Sequence, residues 1–223
     1  VRTQTPDHRA LAGRRFAAVL FDLDGTLVDS MGAVTRSWLT WAAEQGLEPH
    51  RLLGFHGVPA EQIVRRLVAP ADVVAARTRI MAIELADLDG VLPLPGAVAA
   101  LAALPEHRRA IVTSCTAPLA AARIGAARLV PPAVVVTADD VLRGKPDPEP
   151  FLLGAQRLGV DPADCLVVED APSGIAAATA AGMASIAVLT TNPREQLAAH
   201  AVVPDLSHVR LVVGPDGVRV VLA

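Results

Sequence analysis

The sequence predicts an α/β fold, a parallel sheet with helices on both faces and a small α-helical unit inserted near its start. Three observations lead there. From Ala110 onward, short β-rich apolar runs alternate with helical stretches, and continuous apolar strands in βα alternation imply a parallel sheet covered on both sides. Between the first strand and that alternation lie three helical stretches with no strand among them. Finally, polar clusters directly follow the apolar runs, at Asp22 and Asp24, at Thr113 and Ser114, and at Glu169 and Asp170. In open α/β sheets the ligand site lies beyond these carboxyl ends.

The first strand, Phe16 to Phe21, runs straight into Asp22-Leu23-Asp24-Gly25-Thr26. Period-two alternation at a strand end puts Asp22 and Asp24 on one side of the backbone, and Gly25 lets the chain turn away at once. A pair so placed can hold a cation and divide two chemical jobs. From Ser30 to Gln45, Val34, Trp38, Leu39 and Trp41 to Ala43 have helical spacing closed by Gly46. A second helix follows Pro59, with Ile63, Val64 and Leu67 on one face, and a third runs from about Asp72 to Leu88. Gly90 ends this unit, and Pro93-Leu94-Pro95-Gly96 punctuates the return. The expected division is therefore a helical cap over 32–91 and a core made of 14–31 and 92–223. Further strands are expected at Ala110 to Val112, Ala133 to Val136, Cys165 to Val168 and Ala184 to Leu189. The tail, Leu211 to Val213 and Val218 to Leu222 about Asp216-Gly217, reads as a hairpin.

Composition narrows the classes of function. The 223 residues suffice for one core with a modest insertion, and a hydrophobic content of 52% rules out a disordered chain. A formal charge of -3 gives no electrostatic case for nucleic acid or an acidic membrane, and 3% aromatics with no tyrosine provide no base-stacking platform. Cys115 and Cys165 lack a CxxC spacing and read as free core thiols in a reducing compartment. Val1 to Arg15 is polar and reads as a tail, and the apolar runs elsewhere are too short or too broken to span a bilayer. The expectation is a soluble cytoplasmic protein, a monomer or weak homodimer.

One residue stands apart by usage. Of the twenty basic residues nineteen are arginine, and the single lysine is Lys145, between Gly144 and Pro146. A compact ammonium fits a phosphate as a point charge where a broad guanidinium fork would not.

Four motifs in order now carry a resemblance: Asp22-x-Asp24-Gly25-Thr26; Thr113-Ser114 after an apolar strand; Lys145 before proline; and Glu169-Asp170 followed by Gly174. Each alone is weak, since a lone DxD more often caps a helix or sits in a surface turn. Together, over Phe16 to Leu189, they resemble the haloacid-dehalogenase superfamily, in the branch with a small helical cap after the first strand. The resemblance implies a Rossmann-like core, magnesium, and a small phosphorylated metabolite as substrate.

The residues suit that chemistry. A phosphate monoester repels nucleophiles through its own negative oxygens, so a cation must lie between them. Magnesium favours oxygen ligands, which suits Asp22, Asp24, Asp170 and Glu169 as the metal set, with Asp24 offering a turn carbonyl and Glu169 either a ligand or a residue that orients the ligands. Asp22 is the expected nucleophile and Asp24 the expected acid and base. Lys145, Thr113, Ser114 and the backbone about Gly25 would receive the phosphoryl oxygens.

Branches of the family separate on single residues. Phosphonatases resemble the chain but need a cap lysine, and none exists here; dehalogenases resemble it but lack the second aspartate, present here as Asp24. β-Phosphoglucomutases typically have a histidine where this chain has Val34, and Lys and Arg where it has His56 and Ala60. They remain the alternative, and a non-catalytic binding module on the same fold is the second. The runs Phe55 to Ala60 and Arg109 to Ser114 look most like sugar-phosphate and glycerol-phosphate phosphatases, with His56 and then Arg36 as candidate readers of substrate hydroxyls.

Overall fold

Ala18–Phe21 (β1) is a run of four buried apolar residues, and a strand apolar on both faces belongs mid-sheet. The computed structural model describes Leu11, residues 13–52 and residues 60–223; most of the tail Val1 to Arg15, and the candidate His56, lie outside these. After β1 come β2 (Val28–Asp29), the helices α1 (Met31–Glu44), α2 (Ala60–Leu67) and α3 (Val73–Ala86), then β3 (Leu92–Pro93) and α4 (Ala97–Ala102). The second half runs β4 (Arg109–Val112), α5 (Ala117–Ala126), β5 (Val134–Val136), α6 (Glu149–Leu158), β6 (Cys165–Glu169), α7 (Pro172–Ala180), β7 (Ala184–Val188), β8 (Ala201–Val203), β9 (Val209–Gly214) and β10 (Gly217–Leu222).

Six strands form one sheet in the order β5-β4-β1-β6-β7-β8, and every pairing in it is parallel. Alternation along β1 sends Val19 and Phe21 into one apolar cluster with Ile111, Leu166 and Ile186, and Ala18 and Leu20 into another with Val112, Phe151 and Ala177. The expected α/β architecture is therefore the observed one. Two details differ. The ladder of β1 begins at Ala18, because Phe16 pairs antiparallel with Val218 and ties the β9–β10 hairpin to the root of the sheet. The edge strand β8 was not expected from the sequence, since three apolar residues between His200 and Pro204 give too short a signal.

The chain leaves and re-enters the sheet layer at adjacent points. Val28 pairs with Pro93 and Asp29 with Leu92 in a short antiparallel ladder, so the segment between them is tethered by two neighbouring strands. The helices of that segment share their own apolar cluster, made by Trp38, Trp41, Ile63, Val64, Ile80 and Ile83. Trp38 and Trp41 meet edge to face at 5.3 Å, and the Trp41 indole donates to Ala76 O at 2.9 Å. A buried indole with its N–H satisfied gives this unit a fixed centre.

Candidate active site

The strand ends and the inserted helices enclose a cavity of about 860 Å³. Asp22, Asp24, Thr113, Ser114, Lys145, Glu169 and Asp170 line its floor, while Val34 and Trp38 of α1, Gln62 and Arg65 of α2, and Met81 and Glu84 of α3 line its roof. Among the described residues no helix is long and apolar enough to cross a membrane.

Lys145 is the centre of the floor. Its ammonium donates to Asp22 Oδ1 at 2.6 Å, Glu169 Oε1 at 2.7 Å and Val112 O at 2.9 Å, and lies 4.9 Å from the centroid of the Phe151 ring. All three of its hydrogens are thereby taken. Burial opposes the charged form, yet the carboxylates of Asp22 and Glu169 outweigh it and raise the ammonium above its usual value. The second oxygen of Glu169 accepts from the amides of Asp170 and Ala171 at 2.9 and 2.8 Å. Glu169 thus holds Lys145 and the start of the next loop, and Gly174 is where a Cβ would lie 1.8 Å from its carboxylate.

Asp22, Glu169 and Asp170 offer oxygens within 4.8 Å of one another. Three carboxylates against one ammonium leave two uncompensated negative charges in a buried place. Accordingly burial, reinforced by Glu169 and Asp170, pushes Asp22 well above the usual carboxylate range despite Lys145. Burial and the Glu169 charge likewise push Asp170 up to about 7. An all-oxygen donor set two charges short of neutrality is the environment a hard dication fits. Space is kept for it locally: Gly25 has φ +80°, and a Cβ there would lie 2.3 Å from Asp170 Oδ2.

Past Asp22 the backbone turns, with Leu23 O collecting the amides of Thr26, Leu27 and Val28. Asp24 lines the same cavity as Asp22, but its side chain does not join the clustered trio. Instead Asp24 Oδ1 accepts from Ser30 Oγ at 2.6 Å and faces Arg123 Nη1 at 3.0 Å, while Oδ2 accepts from the Cys115 thiol at 2.8 Å. Arg123 Nη2 reaches Glu84 Oε1 on α3 at 3.1 Å. Burial, and then the Asp24 charge, raises the Cys115 thiol well above its usual value, so it stays a protonated donor.

Other expected site residues sort by geometry. Thr113 is buried and accepts from the Cys115 amide, leaving its hydroxyl proton free to be donated, and Ser114 is exposed on the cavity wall. Gly25 does not offer its backbone to a ligand: its N–H donates to Val28 O at 2.8 Å and its carbonyl accepts from Thr190. Arg36 does not line the cavity, because its guanidinium binds both oxygens of Asp87 at 2.8 and 2.7 Å and the Asp89 carbonyl at 2.7 Å. Cys115 and Cys165 are free and buried, as expected, and Cys115 also touches Asp24. Unforeseen were Ser30, Glu84 and Arg123, and the run after β7, where Thr191 donates to Asp170 Oδ2 and Asn192 to Asp170 O. That run is a polar cluster at a strand end, the signal that had marked the other three loops.

A parallel sheet whose strand ends gather buried carboxylates and one lysine beneath inserted helices defines a Rossmann-like α/β enzyme class. The chain belongs to the haloacid dehalogenase-like hydrolase family, whose model matches residues 16–182. It is 48% identical over 180 residues to hexitol phosphatase A of Escherichia coli, covering 78% of this chain and 83% of the relative. It is 34% identical over 188 residues to glycerol-1-phosphate phosphohydrolase 1 of Saccharomyces cerevisiae, covering 78% and 75%. Among solved structures, a hydrolase from Pseudomonas syringae superposes with a TM-score of 0.77 at 25% identity, covering 86% of this chain and 94% of that one.

Proposed function

We propose that the protein is a magnesium-dependent phosphatase of a small sugar or polyol phosphate, working through an aspartyl-phosphate on Asp22. The observation that carries this reading is the Asp22, Glu169 and Asp170 trio, bridged by Lys145, on the floor of a lidded cavity. The names of the relatives, phosphatases of a hexitol phosphate and of glycerol 1-phosphate, support the substrate class.

Asp22 and Asp170 would hold the magnesium ion, with the Asp24 carbonyl as a further oxygen. When bound, the ion supplies the positive charge that lets an anionic phosphate approach a carboxylate. Lys145 holds Asp22 Oδ1, leaving the other oxygen to attack phosphorus in line. The Thr113 hydroxyl and the exposed Ser114 receive phosphoryl oxygens. Asp24 gives a proton to the leaving alkoxide and afterwards takes one from the attacking water. Residues 32–91 act as the cap that closes on the substrate and excludes bulk water. A phosphosugar mutase has weaker support, since Val34 puts an apolar side chain on the roof where proton handling would be wanted.

The test is phosphate release with magnesium from glycerol phosphate, hexitol and hexose phosphates and phosphoglycolate, with Asp22→Asn run beside the wild type. Release from polyol or hexose phosphates by the wild type, lowered by at least about 10⁴-fold in the variant, is expected for loss of a covalent nucleophile. Near-normal turnover by Asp22→Asn excludes the aspartyl-phosphate route.

A further inference from the structure

Arg123 lies on α5 with partners on both sides of the cavity. Its side chain is 4% exposed, and its two terminal nitrogens face different carboxylates: Nη1 Asp24 Oδ1 at 3.0 Å, and Nη2 Glu84 Oε1 at 3.1 Å. Asp24 belongs to the turn after β1, Glu84 to α3 of the inserted helices, and Glu84 is itself 6% exposed. The guanidinium also donates to the Cys115 sulfur at 3.1 Å, and that thiol donates to the other oxygen of Asp24.

Stability alone is a weak reason for this arrangement. A buried ion pair replaced by packed apolar groups is often neutral or stabilising, whereas removal of one partner strands a charge. What the guanidinium adds is a fixed relation between the turn after β1 and α3 of the inserted helices. Among the described residues Asp24 has three donors, of which Ser30 and Cys115 are neutral and Arg123 alone is ionic. Planar and forked, Arg123 cannot rotate toward one carboxylate without turning from the other. With α3 lifted, Glu84 leaves Nη2 without its acceptor, and the nitrogen that aims Asp24 is no longer held.

We propose that Arg123 is a positioning residue for Asp24 whose aim depends on Glu84, so that seating of the inserted helices, and not phosphate binding alone, sets the carboxyl that serves the leaving group. The inference rests on the phosphatase reading above. It predicts that proton delivery to the leaving oxygen is confined to the closed cavity.

The experiment compares kcat/KM of wild type and Glu84→Gln on a polyol phosphate and on p-nitrophenyl phosphate, in magnesium. For both substrates kcat/KM covers the steps through formation of the aspartyl-phosphate, but only the alkoxide needs a proton as it leaves. The polyol-to-aryl ratio should fall about 10- to 100-fold in Glu84→Gln, part of the 10²- to 10⁴-fold worth of a general acid. In Arg123→Met the ratio should fall at least as far, and adding Glu84→Gln to it should change nothing further. Equal losses on both substrates, or an unchanged ratio, overturn the inference, because a structural contact has no reason to distinguish leaving groups. Should Glu84→Gln fail to fold, Glu84→Asp, one methylene shorter, is read in the same way. A wild type inert toward both substrates overturns the phosphatase reading itself, whereas an active wild type with an unchanged variant ratio overturns only the role of Arg123.

Discussion

Two buried cations, Lys145 and Arg123, each bridge two carboxylates in this cavity, and they do so on opposite terms. Lys145 joins Asp22 to Glu169, both at ends of neighbouring parallel strands, β1 and β6. Both of those carboxylates come from the sheet layer and neither from the inserted helices. Arg123 joins Asp24 to Glu84 of α3, and its contact exists only while α3 sits against α5. On the proposed reading, the site pairs a nucleophile held by strand ends alone with a proton carrier held in part by a helix of the inserted unit. Preorganisation is worth most where the nucleophile attacks, and conditional aim is useful where premature chemistry is to be avoided.

The first way to break the comparison is Lys145→Arg, and the largest effect is expected there. The ammonium reaches three acceptors at 2.6 to 2.9 Å in three directions, with Phe151 closing the space beside it. A planar guanidinium keeps the charge, but it cannot point three donors that way without pushing the strand ends apart. Turnover on the best substrate should fall by about 100-fold or more, the scale of losing a preorganised partner at the reacting group. A variant with near-wild-type kinetics would mean that charge alone is needed, and the contrast with Arg123 would collapse.

A smaller effect separates the two centres by pH and metal. In magnesium-free protein Asp170 sits at about 7, pushed up by burial and by Glu169, against an ordinary carboxylate near 4 in the unfolded chain. The folded state therefore binds a proton that the unfolded state has lost, so this contribution to stability is present at low pH and disappears as pH rises through about 7. Magnesium bound at the trio would replace that proton, and its stabilisation should then grow with pH. Thermal unfolding with magnesium and with chelator should show a shift several degrees larger at pH 8 than at pH 5.5, and Asp170→Asn should remove the difference. Equal shifts at both pH values would place the ion elsewhere than the trio.

The same contrast explains how much was legible in the sequence. Asp22, Asp170 and Lys145 stand directly after strands or beside a proline, where local periodicity ends and a polar residue is conspicuous, so motif spacing located them. The Arg123 centre carries no such mark, because it is assembled by packing between helices far apart in the chain. A signal did exist. Arg123 shares the stripe of Leu119 and Ala120, and Glu84 that of Ala76, Ile80 and Ile83, all of which are buried. A charge at core spacing on each of two helices is what a buried bridge requires, but which helix meets which follows only from the fold.

Arg36 supplies the control for these buried bridges, and the smallest effect. It joins the start of α1 to the loop after α3 by two hydrogen bonds to Asp87 and one to the Asp89 carbonyl, yet its side chain is 47% exposed. An exposed pair is screened and spends side-chain freedom, so good geometry there contributes little. Its partners Asp87 and Asp89 lie outside the cavity wall, as Arg36 itself does, so it has no contact through which to read a substrate hydroxyl. Arg36→Ala should therefore change KM by less than about twofold and leave kcat unaltered, in line with surface substitutions away from a site. A KM raised tenfold at constant kcat would instead show that Arg36 swings from Asp87 to the substrate, and that the root of the inserted helices takes part in recognition.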